Sequence, residues 1–161
     1  MIFYNSDTNL KVEFPIELLD FMHNLCDISN PYETGGIIIG RYSDDGLTAL
    51  ITEITDAPDD SIYDLTSFIR GINGLQKKLD TLWRDRLYYL GEWHYHPNVS
   101  ARPSITDIRQ MITISKNSCL KCPEPILIII GGNSYDWKCS VNLIIKDKYI
   151  EMKPNTNSHS T

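Results

Sequence analysis

The longest uninterrupted apolar run in the chain is Ile126 to Ile130. It is far too short to span a bilayer, which takes about 20 residues, and it reads as a buried strand. A second run, Ile37-Ile38-Ile39-Gly40, follows the pair Gly35-Gly36 and turns at Ser43-Asp44-Asp45-Gly46. It too reads as a buried strand, with Leu47 to Thr55 returning antiparallel to it. Strands of this kind need a sheet covered by other elements, and helical spacing supplies candidates. Pro15 suits a first helical turn. Leu18, Leu19, Met22, Leu25 and Cys26 then follow helical periodicity up to Ser29-Asn30-Pro31. A second helix is expected from about Thr66 to Arg84, with Phe68, Ile72, Leu75, Leu79 and Leu82 on one face. A third is expected from Ser104 to about Lys116. Further strands are expected at Leu87–His96, Ile126–Ile130 and Trp137–Ile145. This mixed order predicts an α/β domain with a mainly antiparallel or mixed sheet and helices packed against it.

The 161 residues are enough for one domain with a single core. No internal repeat or long linker divides them. The expected domain runs over residues 1–151. Residues 152–161, MKPNTNSHST, read as a flexible polar tail. The N-terminus has no basic stretch leading into an apolar one, so the expectation is a soluble, cytoplasmic protein with no membrane partner. A net charge of −6, with basic residues scattered rather than striped, argues against nucleic acid as a partner. Cys26, Cys119, Cys122 and Cys139 read as reduced thiols. The spacing Cys119-Leu-Lys-Cys122 suits zinc, but no second pair accompanies it.

His94 and His96 stand two apart on a predicted strand, so both imidazoles point to one face and Tyr95 to the other. Asp107, at the start of the third helix, adds a carboxylate. Two histidines and one carboxylate leave a tetrahedral position open for water, the layout of a catalytic zinc site. Ser104-Ile-Thr-Asp107 also reads as a capping box, and Ser104 could both cap the helix and donate a hydrogen bond to an oxyanion. A zinc hydrolase needs a general base as well. Glu33, before the glycine pair, and Glu92, on the histidine face of the strand, are both candidates by spacing.

His94-Tyr-His96-Pro97, with seven residues between His96 and the following Ser104-x-x-Asp107, resembles the JAMM (MPN-type) metalloprotease signature. Glu33-Thr-Gly-Gly-Ile-Ile-Ile-Gly40 is similar to that family's glutamate-bearing strand entry. The resemblance extends over roughly Phe14 to Ile145. It implies the MPN fold (cytidine-deaminase-like), with a curved, mostly antiparallel or mixed sheet flanked by helices. It implies one Zn2+ per chain on His94, His96 and Asp107, with Ser104 stabilising the tetrahedral intermediate. It makes Glu33, not Glu92, the general acid/base, and leaves Glu92 to orient a ligand histidine. The implied reaction is hydrolysis after the C-terminal glycine of a ubiquitin-like protein.

The stretches Ser67-Phe-Ile-Arg-Gly71 and Tyr89-Leu-Gly-Glu-Trp-His94 resemble stand-alone bacterial members. Some of those act beside E1- and E2-like enzymes in antiphage operons and release a conjugated nucleotidyltransferase of cyclic-oligonucleotide defence (CBASS). Three other readings remain at this point: a peptidase of a sulfur-carrier-type ubiquitin-like protein, a non-catalytic MPN scaffold, and a zinc deaminase. The last lacks its expected Pro-Cys-x-x-Cys motif. For the substrate, the expectation is an extended tail that adds a strand to an exposed edge, with the loop after Thr55 as one wall.

Overall fold

Both isoleucine runs end up in strands that flank the histidine strand. A computed structural model describes residues 1–155. Its elements are β1 (Ile2–Tyr4), β2 (Lys11–Glu13), α1 (Ile16–Ser29), β3 (Thr34–Tyr42), β4 (Thr48–Ile54), β5 (Ile62–Tyr63), β6 (Phe68–Ile69), α2 (Leu75–Trp83), β7 (Tyr88–Pro97), α3 (Ile105–Ser115), β8 (Ile126–Gly132), β9 (Lys138–Ile145) and β10 (Lys148–Pro154). Eight strands form one sheet in the order β1-β10-β9-β8-β7-β3-β4-β2, and β2 pairs with β1 to close it into a barrel. All neighbours are antiparallel except β7–β8 and β2–β4. The expected mixed sheet is present, but it curves until its edges meet. The short strands β1, β2 and β10 make that join.

Period-two alternation divides the core between the two faces of the sheet. Ile126, Ile128 and Ile130 of β8 point to one side with Ile38, Trp93 and Tyr95. Every strand of the barrel contributes to this cluster, which makes it the barrel interior. Helix α1 adds Leu19, Met22 and Cys26, spaced three and four apart. Leu127 and Ile129 of β8 point outward with Ile37, Ile39 and Tyr89, under Met111 and Ile114 of α3. Trp93 is fully buried, and its indole Nε1 donates to the Thr55 carbonyl at 2.8 Å.

Two expected boundaries change. The helix expected over 66–84 begins only at Leu75. Phe68 and Ile69 pair instead with Tyr63 and Ile62 as a two-stranded hairpin. Gly71 and Asn73-Gly74 interrupt the helical pattern. Gly74 sits at the helix start with φ +76, a conformation that favours glycine. The expected tail also loses its first residues to the sheet. Met152, Lys153 and Pro154 belong to β10, with Met152 in the barrel interior, and the Asn155 amide donates to the Ile2 carbonyl. Residues 156–161 of that expected tail lie outside the described residues.

Candidate metal centre

On β7, residues 92, 94 and 96 all face outward, toward α3, while Trp93 and Tyr95 face the barrel interior. Helix α3 crosses this face with its N-terminus at the histidines. Its first turn is held by a capping box: the Ser104 hydroxyl accepts from the Asp107 amide at 3.1 Å, and Asp107 Oδ2 accepts from the Ser104 amide at 2.6 Å. The cap aims the Asp107 carboxylate back over β7. Its Oδ1 lies 3.0 Å from His94 Nδ1, and its Oδ2 lies 3.4 Å from His96 Nε2. All three side chains are buried.

Among the described residues, no group of three such side chains stands already converged on one point. The three meet pairwise through the Asp107 carboxylate. Each histidine's separation from the carboxylate is nevertheless close to what two ligands of one ion need. Two ligand atoms held at about 2.0–2.1 Å from one tetrahedral ion stand about 3.3 Å apart, and the observed contacts of 3.0 and 3.4 Å bracket that edge. Two imidazoles and a carboxylate suit zinc and leave one position over.

The register between β3 and β7 pairs Thr34 with Tyr95 and Gly35 with His94. Glu33 stands one residue before this pairing begins, where its amide donates to the Asp64 carbonyl at 3.0 Å, and the register continued by one step would carry it toward His96. Glu33 is half-buried, and that burial is the main reason its carboxyl is raised above the usual range, against the opposing pull of His96. Gly35 permits the close approach: a side chain there would collide with the Trp93 carbonyl and press on the rings of His94 and Phe68. Phe68 packs edge-on against His94, with ring centroids 5.8 Å apart.

Glu92 is engaged differently. It is fully buried, and Arg70 reaches it with Nη2 at 2.7 Å and Nε at 3.0 Å. Burial works to raise its pKa, but His94 and Arg70 outweigh burial and hold it below its ordinary value. For His94, burial works downward, and the bonds to Asp107 and Glu92 overcome it, lifting the imidazole to about 9. Burial of Asp107 is likewise overcome by His94 and His96, which hold it well below the usual carboxylate range. These shifts all favour the charged forms of His94, Glu92 and Asp107 in the metal-free chain.

The structure sets Asp107 against His94 and His96, caps α3 with Ser104, and brings Glu33 within electrostatic reach of both histidines and Asp107. Sequence reasoning missed Arg70, Gln110 and Phe68 as neighbours of the centre. The one available signal was Glu92 itself: an acid on a buried strand face needs a cation. Of the cysteines, Cys26 and Cys122 are buried, Cys139 is partly buried, and Cys119 is exposed; all are free thiols away from this centre. No helix among the described residues is long and apolar enough to cross a membrane.

Comparison with known proteins identifies a family. The family model "Prokaryotic homologs of the JAB domain" matches residues 15–142. A CD-NTase/cGAS isopeptidase of Enterobacter hormaechei subsp. hoffmannii (strain UCI 50) is 49% identical over 113 residues, which are 68% of this chain and 63% of that protein. A probable metalloprotease of Sinorhizobium fredii (strain NBRC 101917 / NGR234) is 35% identical over 65% of this chain and 66% of its own length. A CD-NTase/cGAS isopeptidase of Escherichia coli (strain TW11681) is 32% identical over 65% of each. The matched segments thus span just under two thirds of these relatives' lengths. The solution structure of a protein from Desulfitobacterium hafniense shares the fold, with a TM-score of 0.65 at 19% identity, over 93% of this chain and 99% of that one. The family match spans most of the chain and contains Glu33, both histidines, Ser104 and Asp107, so the chain belongs to the prokaryotic homologs of the JAB domain.

Proposed function

We propose that this chain is a zinc-dependent isopeptidase that hydrolyses the bond after a C-terminal glycine and so releases a conjugated CD-NTase or ubiquitin-like protein. The observation that carries the reading is the Asp107 carboxylate, set by a helix cap between His94 Nδ1 and His96 Nε2. His94, His96 and Asp107 would hold the ion. Bound there, zinc supplies an activated water near neutral pH and polarises the scissile carbonyl.

Glu33 takes the proton of the attacking water and returns it to the departing amine. Its raised carboxyl pKa brings it nearer the working pH, as an acid/base requires. Ser104 donates to the carbonyl oxygen as negative charge builds. Its hydroxyl already accepts from the Asp107 amide at the exposed start of α3, which holds it beside the centre.

The substrate reading comes from the names of the relatives and from the surface beside the centre. The hairpin β5–β6 displays the exposed cross-strand pair Ile62 and Ile69. An extended tail adding to this hairpin would gain main-chain pairing and apolar contact next to His94. The hairpin includes part of the loop after Thr55 that was expected to form a wall. The barrel itself is closed, so a short hairpin is the free edge nearest the chemistry.

Metal analysis and turnover test the reading together. The expected result is one zinc per chain and cleavage of a CD-NTase conjugate. Glu33→Ala should lose about 10²–10⁴ in kcat while keeping its zinc. Zinc retained by His94→Ala/His96→Ala would exclude the site, and full activity of Glu33→Ala would exclude the mechanism. Cleavage of linear ubiquitin-like fusions alone would point to a sulfur-carrier substrate. Zinc without turnover on any of them would point to a scaffold.

A further inference from the structure

Glu92 is completely buried, and four donors and a histidine ring nitrogen converge on it. Oε1 accepts from Arg70 Nη2 at 2.7 Å, Arg70 Nε at 3.0 Å and the Tyr89 hydroxyl at 3.2 Å. Oε2 accepts from Gln110 Nε2 at 3.1 Å and faces His94 Nε2 at 3.4 Å. These donors come from three places: the residue after β6, helix α3 and the strand β7. Gln110 stands three residues beyond Asp107, on the same side of α3. Arg70 also donates Nη1 to the Gly71 carbonyl at 2.8 Å, which fixes the plane of its guanidinium.

Two consequences follow from this convergence. In the tautomer whose Nε2–H donates to Glu92, the lone pair of Nδ1 is left on the side of Asp107, where Nδ1 stands 3.0 Å from Oδ1. A carboxylate on the far nitrogen of a ligand histidine sets both tautomer and ring orientation. The second consequence concerns β5–β6. Two strands of two residues do not hold a position alone. This hairpin is tied to β7 by Phe68 on the His94 ring and by Arg70 on Glu92.

We infer that Arg70 and Glu92 are positioning residues: Glu92 fixes His94 with Nδ1 as its metal-side nitrogen, and Arg70 locks the β5–β6 hairpin to the same carboxylate. One ion pair thereby joins the edge proposed to receive the substrate tail to the carboxylate that orients a metal ligand. The inference rests on the proposed reading of the centre, so its readouts are separable from activity.

In the zinc-loaded chain, two-bond proton–nitrogen correlation of the histidine rings should show His94 protonated at Nε2 and metal-bound at Nδ1. Metal on Nε2 would overturn the Glu92 assignment. Glu92→Gln should weaken zinc about 10–100-fold in competition with a chromophoric chelator. Arg70→Lys keeps the charge but loses the fork. It should speed hydrogen exchange of the hairpin amides several-fold in the metal-free chain, and raise KM for the conjugate more than it lowers kcat. Because a single change strands a buried charge, Arg70→Gln/Glu92→Gln serves as the paired variant, with both defects expected together. Zinc affinity within twofold of the parent and unchanged hairpin exchange in these variants would overturn the inference. A parent chain that binds no zinc would overturn the metal reading and the tautomer with it. The exchange measurement, made without metal, would still decide the part of Arg70.

Discussion

Ser104 serves the helix and, on the proposed mechanism, the reaction, and two substitutions separate these roles. Ser104→Ala removes the cap and the donor. It should cost about 1 kcal/mol of stability, a fall in Tm of roughly 2–4 °C for a chain of this size. Ser104→Gly keeps most of the capping energy and should melt closer to the parent. Both should lose about 10²–10³ in kcat, because neither can donate to the oxyanion. Thermal melts beside steady-state kinetics check the split. The same cluster predicts a pH dependence. In the metal-free chain His94 is raised from 6.5 to about 9, so its contribution to stability is complete below pH 6.5 and is lost as pH rises through 9. Asp107 is lowered from 3.8, so its contribution is complete above that value and is lost in stronger acid. Urea unfolding of chelator-treated protein should therefore show the cluster stabilising most between about pH 4 and 6.5. Zinc needs a neutral His94, so the stabilisation it adds should increase with pH across that decline.

The long elements were legible because each has a period. α1, β3, β4, β7, α3, β8 and β9 stand within a residue or two of their expected bounds. Site parity on β7 was legible for the same reason. The hairpin was not, since Phe68, Ile72, Leu75 and Leu79 imitate a helical face. In the structure Phe68 turns to His94 and Arg70 to Glu92, contacts that no local pattern encodes. Glu33 stayed ambiguous against Glu92 for a related reason. Spacing shows which face a residue takes, whereas only the cross-strand register, continued one step past Thr34, carries Glu33 toward His96. The packing of β3, β7 and the hairpin around Gly35 is open to test. Gly35→Ala forces a methyl against the Trp93 carbonyl and two rings. It should cost roughly 1–3 kcal/mol and weaken zinc, as read by denaturant unfolding and chelator competition.

At the scale of the molecule, what sequence patterns missed is closure. The sheet was expected to be curved and flanked by helices, and it is, but β1, β2 and β10 were invisible. They are three to seven residues long and mostly exposed, and the pairings that close the sheet, β1 with β10 and β2 with β4, join strands far apart in sequence. Met152 decides between a flexible tail and a barrel strand. In a tail, Met152→Ala would be nearly neutral; in the barrel interior it should cost roughly 2–5 kcal/mol, visible as a lower Tm. Closure also has a consequence in time. β1 has two partners in the barrel, β2 close behind it and β10, which follows almost the whole of the described chain. At about 5–20 residues per second, a nascent β1 waits on the order of 10–30 s for its second neighbour to leave the ribosome. For that interval the growing chain displays raw strand edges. Their brevity, with Lys11 and Glu13 pointing outward from β2, is what an unfinished barrel needs to avoid pairing with the chain on the next ribosome.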